Sequence, residues 1–359
     1  MKKTAIVFFL AIPLLLLAMI LCSPDRALSE AENRPLRTKA DIRWNVMDGG
    51  FQDWLEDYLS DQFPFRDALK RAEVRCAIAA GKRDIGGAYI GEGMRLFQKI
   101  TPADVNQASC LRYARRIRRL ASETGLPTVM IYVPSAGVAL REELPKGAPM
   151  YDYDALWDSL RQELTADGFP GITLIDIRKR MAANADHYYQ SDHHWTASGT
   201  ETVYQAWCQT HEWQPRDIEW VSASDTFHGT LYSKVPDSRV PYDTIRLPVL
   251  DPAPQVVADG QDIPFYDLAA LTVKDQYNVF QGGNHGITVI TNPALPEQDG
   301  LTLLMLKDSF ANSLVPLLVP HYRQIVLLDE RYAFVDAAQI AQTYHADEIA
   351  VVREIISTP

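Results

Sequence analysis

Apolar positions along this chain follow several different rhythms. An unbroken apolar run from Ala5 to Cys22 opens the sequence, with Lys2 and Lys3 before it and a polar stretch from Ser23 to Lys39 after it. The basic flank and polar exit predict a signal anchor or signal peptide over residues 1–25, with the remainder of the chain exported. Apolar residues then recur at helical spacing (Phe51, Trp54, Leu55, Tyr58, Leu59) and stop at Phe63-Pro64, and a second helix is predicted from about Arg66 to Ala80, ending in Gly81. These predict a membrane-proximal helical hairpin. The glycine-punctuated stretch from Gly86 to Gly93, followed by Leu96-Phe97, completes a segment spanning residues 26–100. It lacks the lysine and hydroxyl of a phosphate loop, so its glycines predict tight turns before a short strand.

From residue 101 to 359 short apolar runs alternate with amphipathic stretches. Strands are predicted at Thr128–Val133, Ile172–Ile177, Leu301–Leu306, Ile325–Leu328 and Glu348–Val352. Helices are predicted at about Pro102–Thr124, around Leu156–Leu164, at Ala197–Cys208 with Thr196 as cap, at Ser313–Val319 and at Val335–Thr343. The arginines of the first of these (Arg112, Arg115, Arg116, Arg118, Arg119) read as a solvated face. Between about residues 213 and 295 prolines, glycines and short alternating runs predict a β-rich insertion. The fold class is therefore α/β, a doubly wound parallel sheet, whose reactive groups belong at the carboxyl ends of strands.

Composition narrows the function. A formal net charge of -11 argues against a nucleic-acid partner, which needs a basic face, and against a soluble part lying on anionic lipid. Contact with a membrane is then expected through the N-terminal helix only. Cys76, Cys110 and Cys208 lie in apolar helical patterns and match no metal knuckle, so small core residues are expected and disulfides are not.

Candidate chemistry lies in Ser191-Asp192-His193-His194-Trp195-Thr196 and in Lys307-Asp308-Ser309-Phe310-Ala311-Asn312. Ser309 follows a predicted strand, where an α/β sheet presents a nucleophile; the competing role is a cap for the next helix. In an extended segment Asp192 and His194 project to one side, as orienter and base, while His193 points away and Trp195 anchors the loop. The histidines could instead ligate a metal together with Asp186 and His187, or the segment could be a polar loop. Asn284 and Gly283 offer an amide and a backbone N–H to an oxyanion, or form a turn. Arg331 and Tyr332 lie beyond a strand end where substrates bind, or Arg331 pairs with Asp329.

Phe63-Pro64-Phe65-Arg66-Asp67, the glycine turns ending in Leu96-Phe97, Asp192-His193-His194-Trp195, Gly229-Thr230-Leu231-Tyr232-Ser233 and Lys307-Asp308-Ser309-Phe310-Ala311 together resemble a DHHW-type protein. That family is similar to the SGNH-hydrolase-like proteins that acetylate alginate and related exopolysaccharides. The resemblance runs from about residue 50 to the C-terminus. It implies a flavodoxin-like SGNH domain with Ser309 as nucleophile, His194 as base and Asp192 as its partner, and Asn284 loosely matching the glycine-asparagine block. Lys307 stands where ordinary SGNH enzymes carry glycine, and no clean Gly-x-Asn-Asp block exists. The implied activity is an extracytoplasmic O-acetyltransferase or acetylesterase on a cell-surface or exported polysaccharide, through an acyl-Ser309 intermediate and without metal or cofactor. A multi-pass membrane O-acyltransferase supplying acetyl groups is the implied partner; the N-terminal segment itself predicts a single-pass cell-membrane location with an exported C-terminal domain, or a secreted or periplasmic one if the signal is cleaved. A non-catalytic glycan-binding or assembly protein, and a metal-dependent hydrolase using the Asp/His cluster, remain the other classes.

Overall fold

A computed structural model describes residues 2–29, 32, 34–296 and 300–358, and only the backbone of residues 2–10 and 167. Its centre is an eight-stranded sheet. Numbered within this sheet, the strands are β1 (Thr128–Val133), β2 (Ile172–Leu174), β3 (Gln255–Ala258), β4 (Gln261–Ile263), β5 (Ile287–Thr291), β6 (Thr302–Lys307), β7 (Gln324–Leu328) and β8 (Glu348–Glu354). Their spatial order is β4-β3-β5-β7-β6-β8-β1-β2.

The strands predicted from apolar runs (β1, β2, β6, β7, β8) form the parallel part. All residues of β1, β6 and β8 are buried, which explains why these runs are continuous and do not alternate. The chain moves from β6 outward to β7 and then back past β6 to β8, so right-handed crossovers place the intervening helices on opposite faces. Helix Ala337–Thr343 packs beside Gln107–Thr124, which packs in turn on Tyr153–Leu164, and helix Ala311–Leu318 packs on Ala197–Thr210. The direction of winding reverses at β6, so the groove outside its carboxyl end is where a site belongs.

Four expectations are corrected. The sheet is mixed, because β5 pairs antiparallel with β7 and carries β3 and β4 beyond it. The segment read as an insertion thus supplies three strands of the central sheet. Helices Gly50–Asp61 and Arg66–Ala79 do not form a packed hairpin. Trp54 and Tyr58 pack with Ile20, whereas Val74 and Ile78 pack with Ile90, Leu96, Leu231 and Val235. Cys76 is exposed, unlike Cys110 and Cys208, and all are free thiols. The arginine face of helix Gln107–Thr124 is solvated as expected, with Arg112, Arg115, Arg116 and Arg119 exposed, and Arg115 and Arg116 reach Glu163 and Glu330 from it.

The glycine stretch does form turns. Gly86 and Gly87, at φ +60° and +80°, close a two-residue hairpin between Asp84–Ile85 and Ala88–Ile90. The backbone of Lys2–Cys22 is helical, but the expected anchor lies partly outside the described residues. Among those described, no helix is long and apolar enough to cross a membrane.

Candidate active site

Three segments meet at the carboxyl end of β6: the Asp-His motif, the stretch 228–232, and the turn after Lys307. The motif is a pinched loop. Tyr188 and Trp195 form an antiparallel bridge, and residues 190–194 between them are bends, not extended backbone. Trp195 is fully buried, its Nε1–H donating to Ser313 Oγ at 2.8 Å, so the loop's downstream stem is anchored in the core. Ser191 Oγ–H donates to Asp243 Oδ2 at 2.6 Å, and the Gln190 and Ser191 amides donate to the same carboxylate at 2.8 Å.

Within the loop the Asp192 carboxylate works through both oxygens. Oδ1 accepts the His194 backbone N–H at 3.0 Å and His194 Nδ1–H at 2.6 Å. Oδ2 accepts the Thr230 N–H at 2.7 Å and its hydroxyl at 3.0 Å. Burial by itself would raise this carboxyl, but the two neighbouring imidazoles and these hydrogen bonds outweigh it and hold Asp192 well below the usual carboxylate range. An ionised carboxylate only accepts, so Nδ1 carries the hydrogen and Nε2 is the free acceptor. That Nε2 lies 2.7 Å from Ser309 Oγ.

Ser309 sits in the turn between β6 and helix Ala311–Leu318. Its neighbours Asp308 and Phe310 are buried, while Ser309 itself is partly open to solvent. Asp308 builds the turn, its Oδ1 accepting the Phe310 N–H at 3.0 Å and its Oδ2 the Glu354 N–H at 2.8 Å. The following helix has no side-chain N-cap, so the Ser309 hydroxyl faces His194 and does not cap. The structure therefore joins Asp192, His194 and Ser309 in one hydrogen-bonded line.

His193 departs from expectation. The alternation that would turn it away requires extended backbone, and the bends bring its ring to 3.9 Å from that of His194. Its Nδ1–H donates to Thr230 Oγ1 at 2.9 Å. Burial and then the neighbouring His194 push its pKa down to about 4, so it is neutral at neutral pH.

Several residues were not foreseen. The Tyr277 ring stacks on His194 at 3.9 Å and 8°, and the Phe310 edge meets it at 5.0 Å. The Tyr277 hydroxyl donates to Ser313 Oγ at 3.1 Å. Gly229 permits the approach of the Thr230 segment, because a Cβ there would lie 2.2 Å from Asp192 Oδ2. The block Gly229–Ser233 entered the sequence reading only as part of a resemblance. Tyr277 comes from an aperiodic stretch that carried no signal.

The predicted oxyanion and binding residues are placed unevenly. Gly283 offers no free amide: its N–H donates to Phe280 O at 3.0 Å, and at φ +100° it serves a turn. Asn284 Oδ1 accepts from Lys307 Nζ at 2.8 Å and from Asn312 Nδ2 at 3.3 Å, so it belongs to the nucleophile turn. The Ser309 N–H has no acceptor among the described residues. Arg331 is held by both oxygens of Asp329 at 2.8 and 2.6 Å, the pairing alternative, and its charge still reaches His193. Tyr332 is exposed beneath the Arg331 guanidinium.

Among the described residues, Asp192, His193 and His194 are the group whose donor atoms lie close enough to hold a metal, all within 4.8 Å. Asp186 and His187 do not join them, since His187 faces Met181 O at 3.3 Å and Thr202 Oγ1 at 3.2 Å. The fit is poor, because a metal would have to replace the Asp192–His194 bond that already uses both groups.

A sheet of this order with a serine turn after β6 is the SGNH-hydrolase-like α/β fold. The family model described as SGNH hydrolase-like domain, acetyltransferase AlgX, matches residues 96–221. The model of the DHHW protein matches residues 171–328, and the resemblance seen in the sequence is borne out. A solved DHHW family protein from Eubacterium siraeum is similar with a TM-score of 0.62 at 17% identity, over 75% of this chain and 91% of its own. PatB1 of Bacillus cereus gives 0.60 at 19% identity, over 75% of this chain and 95% of its own. A structure of PatB1 with a sulfonyl adduct gives 0.59 at 19%, over 72% and 92%. At these identities the likeness concerns the fold. No curated protein matches the chain.

Proposed function

We propose that this chain is a serine-dependent O-acetyltransferase or acetylesterase acting on an exported or cell-surface polysaccharide. The observation that carries the reading is the unbroken line from Asp192 through His194 to Ser309, at 2.6 and 2.7 Å, at the carboxyl end of a central strand. The match to a domain described as an acetyltransferase, and the likeness to a protein solved with a sulfonyl adduct, support it.

In this reading His194 Nε2 takes the Ser309 proton as Oγ bonds the acetyl carbon of the donor. The donor's ester bond breaks, and its oxygen leaves with the proton from His194. A sugar hydroxyl then gives its proton to His194 and takes the acetyl group, and Ser309 Oγ recovers the proton. Water in place of the sugar makes the same site an esterase. Asp192 stays ionised throughout and stabilises the imidazolium. The Lys2–Cys22 helix is proposed to hold the domain at the outer face of the cell membrane. There a multi-pass acyltransferase would deliver acetyl groups.

The test is incubation of the protein with 4-nitrophenyl acetate, followed by mass spectrometry of the Ser309 peptide. An added acetyl group on Ser309, absent after Ser309→Ala, is expected; turnover with an unmodified serine would sink the reading. Metal-dependent hydrolysis through the Asp192-His193-His194 group, which the Asp192–His194 bond disfavours, is the competing outcome of the same assay. Loss of turnover with EDTA, restored by zinc, would favour it.

A further inference from the structure

Lys307 is the last residue of β6 and only 2% exposed, a place where an ammonium is costly unless its hydrogens are placed. Its Nζ donates to Asn284 Oδ1 and to Asn312 Oδ1, each at 2.8 Å, and stands 3.5 Å from Asp329 Oδ2. Asn312 Nδ2 donates to the same Asn284 Oδ1 at 3.3 Å and to Gly283 O at 3.3 Å. Both groups that pin the Asn284 oxygen thus come from residues flanking Ser309, two before it and three after. An amide whose oxygen is drawn inward turns its NH2 away, and Asn284 Nδ2 has no acceptor among the described residues.

We infer that Lys307 is a positioning residue: it fixes the Asn284 amide so that Nδ2, together with the free N–H of Ser309, forms the donor pair for the oxyanion. The inference rests on the acyl-serine reading above. Only the ammonium form enforces this arrangement, because it has donors and no acceptor. A neutral amine accepts hydrogen bonds, so it would tolerate the amide in either orientation. Charged groups face Lys307 from β7 and its following turn (Asp329, Arg331) and from its own turn (Asp308). From β8 it is paired with the uncharged Val352, and Asn284 and Asn312 are neutral. Burial pulls Lys307 down to about 8, against the attraction of Asp329 and with help from Arg331.

The full chain is examined by two measurements. In the first, the side-chain amide resonances of Asn284, assigned by difference with Asn284→Asp, are followed from pH 6 to 9.5. They are expected to shift with a midpoint near 8 and to lose that titration in Lys307→Met. In the second, the rate of Ser309 acetylation by 4-nitrophenyl acetate is measured by quenched mass spectrometry. Lys307→Met is expected to slow it by about 10- to 100-fold, less than outright loss of an oxyanion donor, with little change in half-saturation. The same substitution on an Asn284→Ala background should cost nothing further. Asn284 side-chain resonances that are the same in the wild type and in Lys307→Met at pH 6, where the ammonium is charged, overturn the inference. Additive losses in the double variant overturn it as well. If the wild type never acetylates Ser309, the acyl-serine reading falls, while the resonances still decide whether Lys307 sets the Asn284 amide.

Discussion

One oxygen of Asp192 holds His194 twice, accepting its backbone N–H at 3.0 Å and its Nδ1–H at 2.6 Å. The first bond curls the chain and the second aims the ring, so the turn and the tautomer are set by the same atom. The Thr230 segment then locks the other oxygen, leaving the carboxylate little freedom to rotate.

Ser309→Ala and His194→Ala should each abolish acetyl-ester turnover with the domain still folded. Because both act in one unit, the double variant should be little slower than either single one. Steady-state rates beside thermal unfolding curves check this, and full activity in Ser309→Ala would refute the assignment.

The adjacent histidines should separate cleanly. His194→Gln is expected to lose several orders of magnitude, as removal of a triad base does. His193→Gln gives up a hydrogen bond to Thr230, worth about 1 kcal/mol, or roughly fivefold in rate. The reverse ranking in a rate assay would make His193 the base.

That pair also shows how far the sequence could be read. Two-residue spacing selected His194 on the premise of extended backbone, and the residue that meets Ser309 is indeed His194. The premise does not hold, since the loop bends and His193 lies alongside. A short polar segment has no periodicity to reveal such a bend; a side-chain-to-backbone bond imposes it. The parallel strands were legible because burial on both faces makes them unbroken apolar runs. β3, β4 and β5 were not placed, because short strands at one margin alternate weakly, and β5, which joins the β3–β4 hairpin to the sheet, pairs with residues some thirty or more positions away. Thr230 and Tyr277 stand in helical segments of only five and four residues, too short to show a period, and only assembly brings them to the imidazole.

Gly229→Ala should damage the site out of proportion to the size of a methyl group. The added Cβ would lie 2.2 Å from both Oδ2 and Cβ of Asp192, so one of the two segments must move. Overpacking of this kind costs about 1–3 kcal/mol of stability. Activity should fall much further than the fraction of folded protein, as comparison of rates with calorimetry would show.

Glu354 gives the fold a pH dependence of its own. Burial, with Asp308 adding to it, pushes this carboxyl up to about 8. The folded chain then holds the proton more tightly than the unfolded chain, whose glutamates release it near 4.3. Its stabilising contribution is complete below that value, is lost progressively as pH rises toward 8, and changes no further above it. Asp192, depressed, acts in the opposite sense and is lost only in acid. Thermal midpoints from pH 5 to 8.5 should fall less steeply in Glu354→Gln than in the wild type, and equal slopes would count against a buried protonated Glu354.

The antiparallel strand β5 runs beside β7 through the pairs from Ile287–Leu328 to Thr291–Gln324. Four of the five residues of β7 are buried apolar side chains, Ile325 to Leu328. Without its neighbour, that strand would present a row of unpaired amides and carbonyls flanked by aliphatic groups, a template for another chain to add to. The stretch between residues 213 and 295 is therefore also a guard against self-association. A chain shortened there should be lost to aggregates before its chemistry can be measured.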